Sequence, residues 1–307
     1  MESLILAGLA ISTVYAGSKW SASKKVREEQ QTIHSKTALL FPIMGGAVLV
    51  SLYIVMKYWI KEYIETILQV YSSFAAAGCL YAMLNRGGKL ISFFAFVTSI
   101  GCSAAYLYTK NWLFSNILSF AMATTSIAYM NIDSYATGSL LLAALFFYDI
   151  YFVFGTKVMV TVAKGVNIPA KYLFPSLSQS DRFSILGLGD IVLPGLMVSL
   201  MLRFDLANLK RKESEGKVEG TSTPPSGQKL PYFKASMVGY TLGLLCANSA
   251  VRYFHAAQPA LLYLSPACII APFLIASRRK EVKLLLSYED NASTKQQDKQ
   301  QDTEKNK

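Results

Sequence analysis

The sequence predicts an all-α membrane protein of nine transmembrane helices, and three observations carry that prediction. Of 307 residues, 52% are hydrophobic and only 16% charged, with a mean hydropathy of +0.33, more apolar than a soluble domain needs to fill a core. The apolar residues gather in windows of roughly 20, the length that crosses a bilayer. Lys and Arg gather in alternate connections between those windows, as the positive-inside rule requires.

Taken in order, the windows fall at residues 3–18, 37–56, 66–84, 90–109, 112–130, 135–155, 183–203, 232–252 and 259–277. The first has the apolar core and small residues (Ala16, Gly17, Ser18) of a signal peptide, but no basic stretch precedes it. It therefore reads as a short, uncleaved helix. The connection after it carries Lys19, Lys24, Lys25, Arg27 and Lys36, and the one after the third carries Arg86 and Lys89. Arg203, Lys210, Arg211 and Lys212 follow the seventh; Arg278, Arg279, Lys280 and Lys283 follow the ninth. All four fall on one side, so that side is expected to be cytosolic, with a luminal N-terminus and a cytosolic C-terminus. Lys157, Lys164, Lys171 and Arg182 dilute the contrast on the other side.

Between these spans the connections are short, so residues 1–287 are expected to form a single polytopic membrane domain. Its one long break is a polar Gly-, Pro- and Ser-rich loop at about 204–231, expected to be flexible and cytosolic. Residues 288–307 are expected to be a disordered cytosolic tail, in which the sequon Asn291-Ala292-Ser293 is a chance match. The formal net charge of +11 fits loops facing anionic lipid headgroups. No basic patch interleaved with stacking aromatics lies outside the spans, which argues against a nucleic-acid partner. The cysteines Cys79, Cys102, Cys246 and Cys268 all lie in apolar segments and read as small hydrophobes, not a disulfide framework or metal cluster.

Two acidic residues, Asp149 and Asp190, stand inside spans six and seven. A carboxylate at a span centre costs about 2.5–3.5 kcal/mol, so a function must offset it. Counting 1.5 Å per helical residue from the outer ends of the two spans puts both at about 9–10 Å depth. Antiparallel neighbours would thus bring the two carboxyls face to face, sharing a single proton. That is the arrangement peptide hydrolysis by paired carboxylates uses, with no cofactor and no metal. Gly187 and Gly189 just before Asp190, with Pro194 and Gly195 just after it, are expected to make the helix irregular there. Irregular backbone at that depth suits a wet cavity or protein-buried site.

Three motifs in order, Tyr148-Asp149, Gly187-Leu188-Gly189-Asp190 and Gln258-Pro259-Ala260-Leu261, are those of the signal peptide peptidases, which the chain resembles; these are intramembrane aspartyl proteases related to presenilins. The resemblance is strong from about residue 145 to 289, and the first five spans match in number and character. It implies Asp149 and Asp190 as the catalytic pair. Pro259, Ala260 and Leu261 are implied as substrate-binding, with Gly187 and Gly189 beside them and Tyr148 and Gln258 as neighbours of the site. It also implies transmembrane helical substrates of type II orientation, signal peptide remnants among them, residence in the endoplasmic reticulum membrane, and a part in degrading selected membrane proteins. Self-association stays open. The outer stretch 157–164, KVMVTVAK, reads equally as a strand pairing with extended substrate or as an interfacial amphipathic segment.

Other chemistries fare worse on the residues. Only two histidines exist, His34 and His255, with no HExxH pair, so zinc ligands are missing and no histidine lies deep enough for a serine–histidine pair. A proton- or cation-coupled transporter and a non-catalytic membrane chaperone using the same aspartates remain the rival readings.

Overall fold

The computed structural model describes residues 2–27, 29–58, 61–85, 87–155, 168–175, 183–214, 230–254 and 258–290. Nine helices of 18 residues or more stand among them: α1 (Glu2–Ser21), α3 (Ser35–Tyr58), α4 (Lys61–Leu84), α5 (Lys89–Thr109), α6 (Trp112–Tyr129), α7 (Tyr135–Phe154), α8 (Gly189–Ser214), α9 (Pro231–Phe254) and α10 (Leu261–Arg278). Two short helices, α2 (Lys24–Arg27) and α11 (Val282–Leu286), flank them. Five of the long helices are apolar and long enough to cross a bilayer by themselves: α3, α4, α5, α7 and α10. The other four, α1, α6, α8 and α9, carry more polar residues, many of them buried.

Small residues set how closely these helices approach, as expected where lipid gives no hydrophobic push between them. On α9 a Cβ at Gly239 would lie 2.7 Å from the Ala271 Cβ and 2.8 Å from the Ala267 carbonyl of α10. On α1 a Cβ at Gly17 would lie 2.8 Å from Ile127 of α6, and Gly195 of α8 meets the same isoleucine at 2.7 Å. Helices α1, α6 and α8 thereby meet around Ile127 and Val14 at the centre of the main core. A smaller core joins α4, α5 and α6 through Ala76, Leu80, Tyr106 and Leu118.

Four short strands correct the all-α expectation. Strand β1 (Gln31–Ile33) pairs in parallel with β2 (Met130–Ile132), tying the start of α3 to the start of α7. Strand β3 (Lys171–Pro175) pairs antiparallel with β4 (Phe183–Gly187), Lys171 opposite Gly187 and Pro175 opposite Phe183. The expected seventh span at 183–203 is therefore a strand followed by a helix that starts only at Gly189. That helix runs on to Ser214, so the polar loop expected from about 204 starts at least ten residues later. The stretch 157–164 lies outside the described residues.

The chain end also departs from expectation. Tyr288, Glu289 and Asp290 are built into the fold, not a loose tail. Tyr288 stacks edge-on against Phe204 at 5.0 Å, Glu289 bridges to Ser134, and the Asp290 amide donates to the Asp133 carbonyl at 2.8 Å. The fully buried Asp290 carboxylate meets Arg27 Nη2 and Arg203 Nε, each at 2.7 Å. Arg203, read from the sequence as part of a solvated loop, is itself buried, donating to Ser21, Ser199 and Asn131. A buried guanidinium is tolerated because Nη1 and Nη2 are hydrogen-bonded and the Asp290 carboxylate balances its charge.

Candidate active site

Helix α7 begins at Ser134, whose hydroxyl accepts the Thr137 amide as a cap. Four turns on it carries Asp149, 2% exposed. The Asp149 carboxylate Oδ2 accepts the Leu261 amide at 3.0 Å. This contact follows from how α10 starts. Proline suits the entry to a helix because it has no amide to leave unsatisfied. Leu262 donates to the Pro259 carbonyl, and Tyr263 and Leu264 donate to that of Ala260. The Leu261 amide has no partner inside its own helix, and Ala260 offers no side-chain cap. Asp149 supplies from α7 the acceptor that a capping side chain would otherwise provide.

Asp190 stands in the first turn of α8, where the positive end of the helix dipole favours a carboxylate. Strand β4 delivers it there: the Leu188 amide donates to the Ala170 carbonyl at 3.2 Å, and Val192 turns back onto the Leu188 carbonyl to start the helix. Asp190 folds over Gly187, where a Cβ would lie 3.4 Å from Oδ2, while Gly189 faces open space. Neither glycine has a positive φ, so Gly187 is there for room, not for a special turn. Pro194 has no N–H for the carbonyl of Asp190, four residues back, which frees that oxygen. The helix nevertheless continues through Pro194 and Gly195. The expected irregularity is confined to the strand–helix junction, and Gly195 is a packing residue against α6.

Helices α7 and α8 are in contact, which puts Asp149 and Asp190 on neighbouring helices. Residues 183–187 climb as strand, at roughly 3.3 Å per residue, so the helical rise counted from residue 183 does not apply to Asp190. Arg203 is no counter-ion for Asp190: thirteen residues along the same helix is about 20 Å. Among the other expected residues, Pro259 and Leu261 are buried and Ala260 partly so. Tyr148 points away toward α3, its ring 4.6 Å from that of Phe152 and both rings against Gly46. Gln258 is half-buried just ahead of α10.

Sequence reading missed the β3–β4 hairpin. Its β3 edge is held by α6, where Asn116 donates to the Leu173 carbonyl at 2.7 Å and accepts the Leu173 amide at 2.8 Å. Ser119 donates to the Lys171 carbonyl at 3.0 Å, and Tyr172 is hydrogen-bonded to Thr13 of α1 at 2.7 Å. The alternation of 183–187 (Phe, Ser, Ile, Leu, Gly) was the available signal, hidden by its apolar continuation into the helix. Also missed was Tyr240, fully buried on α9, a helix packed against α8.

Comparison with known proteins decides the family. A family profile described as signal peptide peptidase matches residues 25–292. The chain belongs to the signal peptide peptidase family. It is 50% identical to a probable intramembrane protease of Schizosaccharomyces pombe over 301 residues, covering 97% of this chain and 99% of the relative. It is 33% identical to the signal peptide peptidase of Mus musculus, over 87% of this chain and 76% of the mouse protein. The fold is that of a solved presenilin-family intramembrane aspartate protease, at a TM-score of 0.57 and 14% identity, covering 91% of this chain and all of the other. The protein is thus an intramembrane aspartic endopeptidase, a multi-pass membrane protein acting on transmembrane helical substrates. The same findings give the transporter reading no support.

Proposed function

We propose that Asp149 and Asp190 are the catalytic pair and that the enzyme hydrolyses peptide bonds within type II transmembrane segments, signal peptide remnants included. The observation that carries this is the placement of two carboxyls on touching helices, one of them oriented by the first free amide of the Pro259-Ala260-Leu261 segment. One carboxylate takes a proton from water as the water oxygen bonds to the scissile carbonyl carbon. The protonated partner donates to the carbonyl oxygen. Collapse of the resulting diol breaks the C–N bond: the protonated carboxyl passes its proton to the leaving nitrogen, the other carboxylate takes one from a diol hydroxyl, and the pair is returned with one proton between them. No covalent intermediate forms.

The Leu261 amide fixes the plane of the Asp149 carboxyl, so residues 259–261 both start α10 and aim the acid; Ala260 and the neighbouring Gln258 line the approach for substrate, while Tyr148 packs α7 against α3. Gly187 gives the Asp190 carboxyl room, and Gly189 leaves space for a peptide backbone. Among the described residues nothing pairs with the outer edge of β4, which leads in three residues to Asp190. A substrate unwound into extended form could lie along that edge, as peptides add to sheet edges elsewhere. The remaining topology follows the sequence reading: nine spans, a luminal N-terminus, a cytosolic C-terminus, and residence in the endoplasmic reticulum with a part in clearing selected membrane proteins.

The test is cleavage of a synthetic type II transmembrane peptide in detergent by the full chain and by Asp149→Ala and Asp190→Ala. Product from the unmodified protein and none from either variant is expected, with labelling by an aspartyl-protease transition-state inhibitor lost in both. Product from either variant overturns the pair. Binding of the peptide without cleavage by the unmodified protein would mark a chaperone instead.

A further inference from the structure

At the end of the bundle opposite the catalytic pair, a cleft of about 590 Å³ opens between the C-terminal ends of α1 and α8. Leu202, Leu206 and Ala207 form its α8 wall, and Lys19, Arg27 and Lys210 stand on it as well. Among the described residues that line it, three are basic and none is acidic. Lys19 and Lys210 are exposed. The Lys19 ammonium is steadied over the rings of Tyr15 and Phe233, 5.8 Å from each centroid. Below the cleft the Asp290 carboxylate is shared between Arg27 and Arg203. Two guanidiniums on one carboxylate leave a positive charge over, in a place where charge is poorly screened.

The cleft is apolar in its wall, cationic on its rim, and placed at the level where the seventh span ends. A free anion would satisfy the rim and leave the wall wet. A neutral lipid would fill the wall and leave the charge. We propose that the cleft binds one anionic phospholipid, its phosphodiester between Lys19 and Lys210 above Arg27 and the start of an acyl chain against Leu202, Leu206 and Ala207. Anionic lipids are concentrated in the leaflet that the basic loops place at this end. The bound lipid would brace the far end of α8, the helix that carries Asp190, against α1.

Native mass spectrometry of the full chain in maltoside detergent, with dioleoyl phosphatidylglycerol or dioleoyl phosphatidylcholine added, reads the proposal directly and without reference to peptidase activity. Retention of phosphatidylglycerol over phosphatidylcholine is expected, and Lys19→Gln and Lys210→Gln should each lower it about fivefold, the worth of one basic residue at such a surface. Ala207→Trp fills the wall and should lower it with both lysines in place; the two exposed lysines keep the test open if that variant does not fold. Equal retention of both lipids overturns the site. Undiminished binding in folded Ala207→Trp reduces it to surface charge, and full displacement of the lipid by millimolar inorganic phosphate reduces it to an anion site. Either result overturns the lipid assignment. So does binding that appears only when residues 215–229, which bring Glu215 and Glu219, are replaced by a Gly-Ser linker, since the chain itself would then be the occupant.

Discussion

Helices α3 and α7 are both apolar and long enough to span a membrane, yet 6% of the α3 window is buried inside the protein against 39% of α7. The difference extends to their neighbours. Helices α3 and α5 turn Ile43, Met44, Val48, Phe93, Phe94 and Phe96 outward, where lipid is as good a solvent for them as a core would be. Helices α1, α6, α8 and α9 turn Thr13, Ser18, Ser21, Ser115, Asn116, Ser119, Ser199 and Ser236 inward. In a bilayer polar groups turn to the centre and away from hydrocarbon, and Thr13, Ser21, Asn116, Ser119 and Ser199 find hydrogen-bond partners there. Hydropathy therefore picks out lipid-facing helices such as α3 most easily; it also finds α7 and α10, which carry Asp149 and Leu261, but ranks α8, which carries Asp190, lower.

If chemistry belongs to the buried faces alone, the largest effects should come from the acids on them. Asp149→Ala or Asp190→Ala should lower cleavage of a transmembrane peptide at least about 10⁴-fold, the upper end of what acid–base catalysis contributes. The thermal midpoint should hold in the same preparations. Next comes the buried charge at the other end. Asp290→Ala strands Arg203, and unfolding followed by thermal denaturation in detergent should show a loss of about 3–5 kcal/mol. A small effect there would mean the chain end is a passenger.

Glycines sharpen the contrast between the layers. Gly195→Leu drives a side chain into Ile127 and should cost about 1–3 kcal/mol. Gly101→Leu on α5 meets nothing within 4 Å and should leave the thermal midpoint unmoved; equal losses at both positions would erase the distinction. A modest loss of stability is expected at the hairpin. Asn116→Ala removes both bonds to Leu173 and should cost about 1–2 kcal/mol. Its cleavage rate should fall further than that loss of folded protein explains, because β4 leads directly to Asp190. A rate that merely tracks folded fraction would make the hairpin a brace only.

The two acids were legible because a charge in an apolar run stands out against everything near it, and the Gly187-to-Asp190 and Pro259-to-Leu261 motifs because order and spacing survive in a linear text. The hairpin was not, since Phe183 to Gly187 is joined to α8 by Leu188 alone and a window of 20 residues averages strand and helix together. Arg203 was misplaced for a related reason. It stands at the end of an apolar run, where a basic residue ordinarily meets water, and its partner Asp290 lies 87 residues further along.

What the sequence determined by itself was local: which segments are apolar enough to be helices in lipid, where glycine and proline permit close approach or a helix start, and which acids cannot be there by accident. Only the tertiary structure decided that the Leu261 amide meets Asp149, that β4 carries Asp190 to its place, and that Asp290 closes over Arg27 and Arg203. Each of these joins residues far apart in the chain. Periodicity and composition register what a residue is and what stands beside it, whereas a hydrogen bond or ion pair depends on where the whole fold brings its two ends.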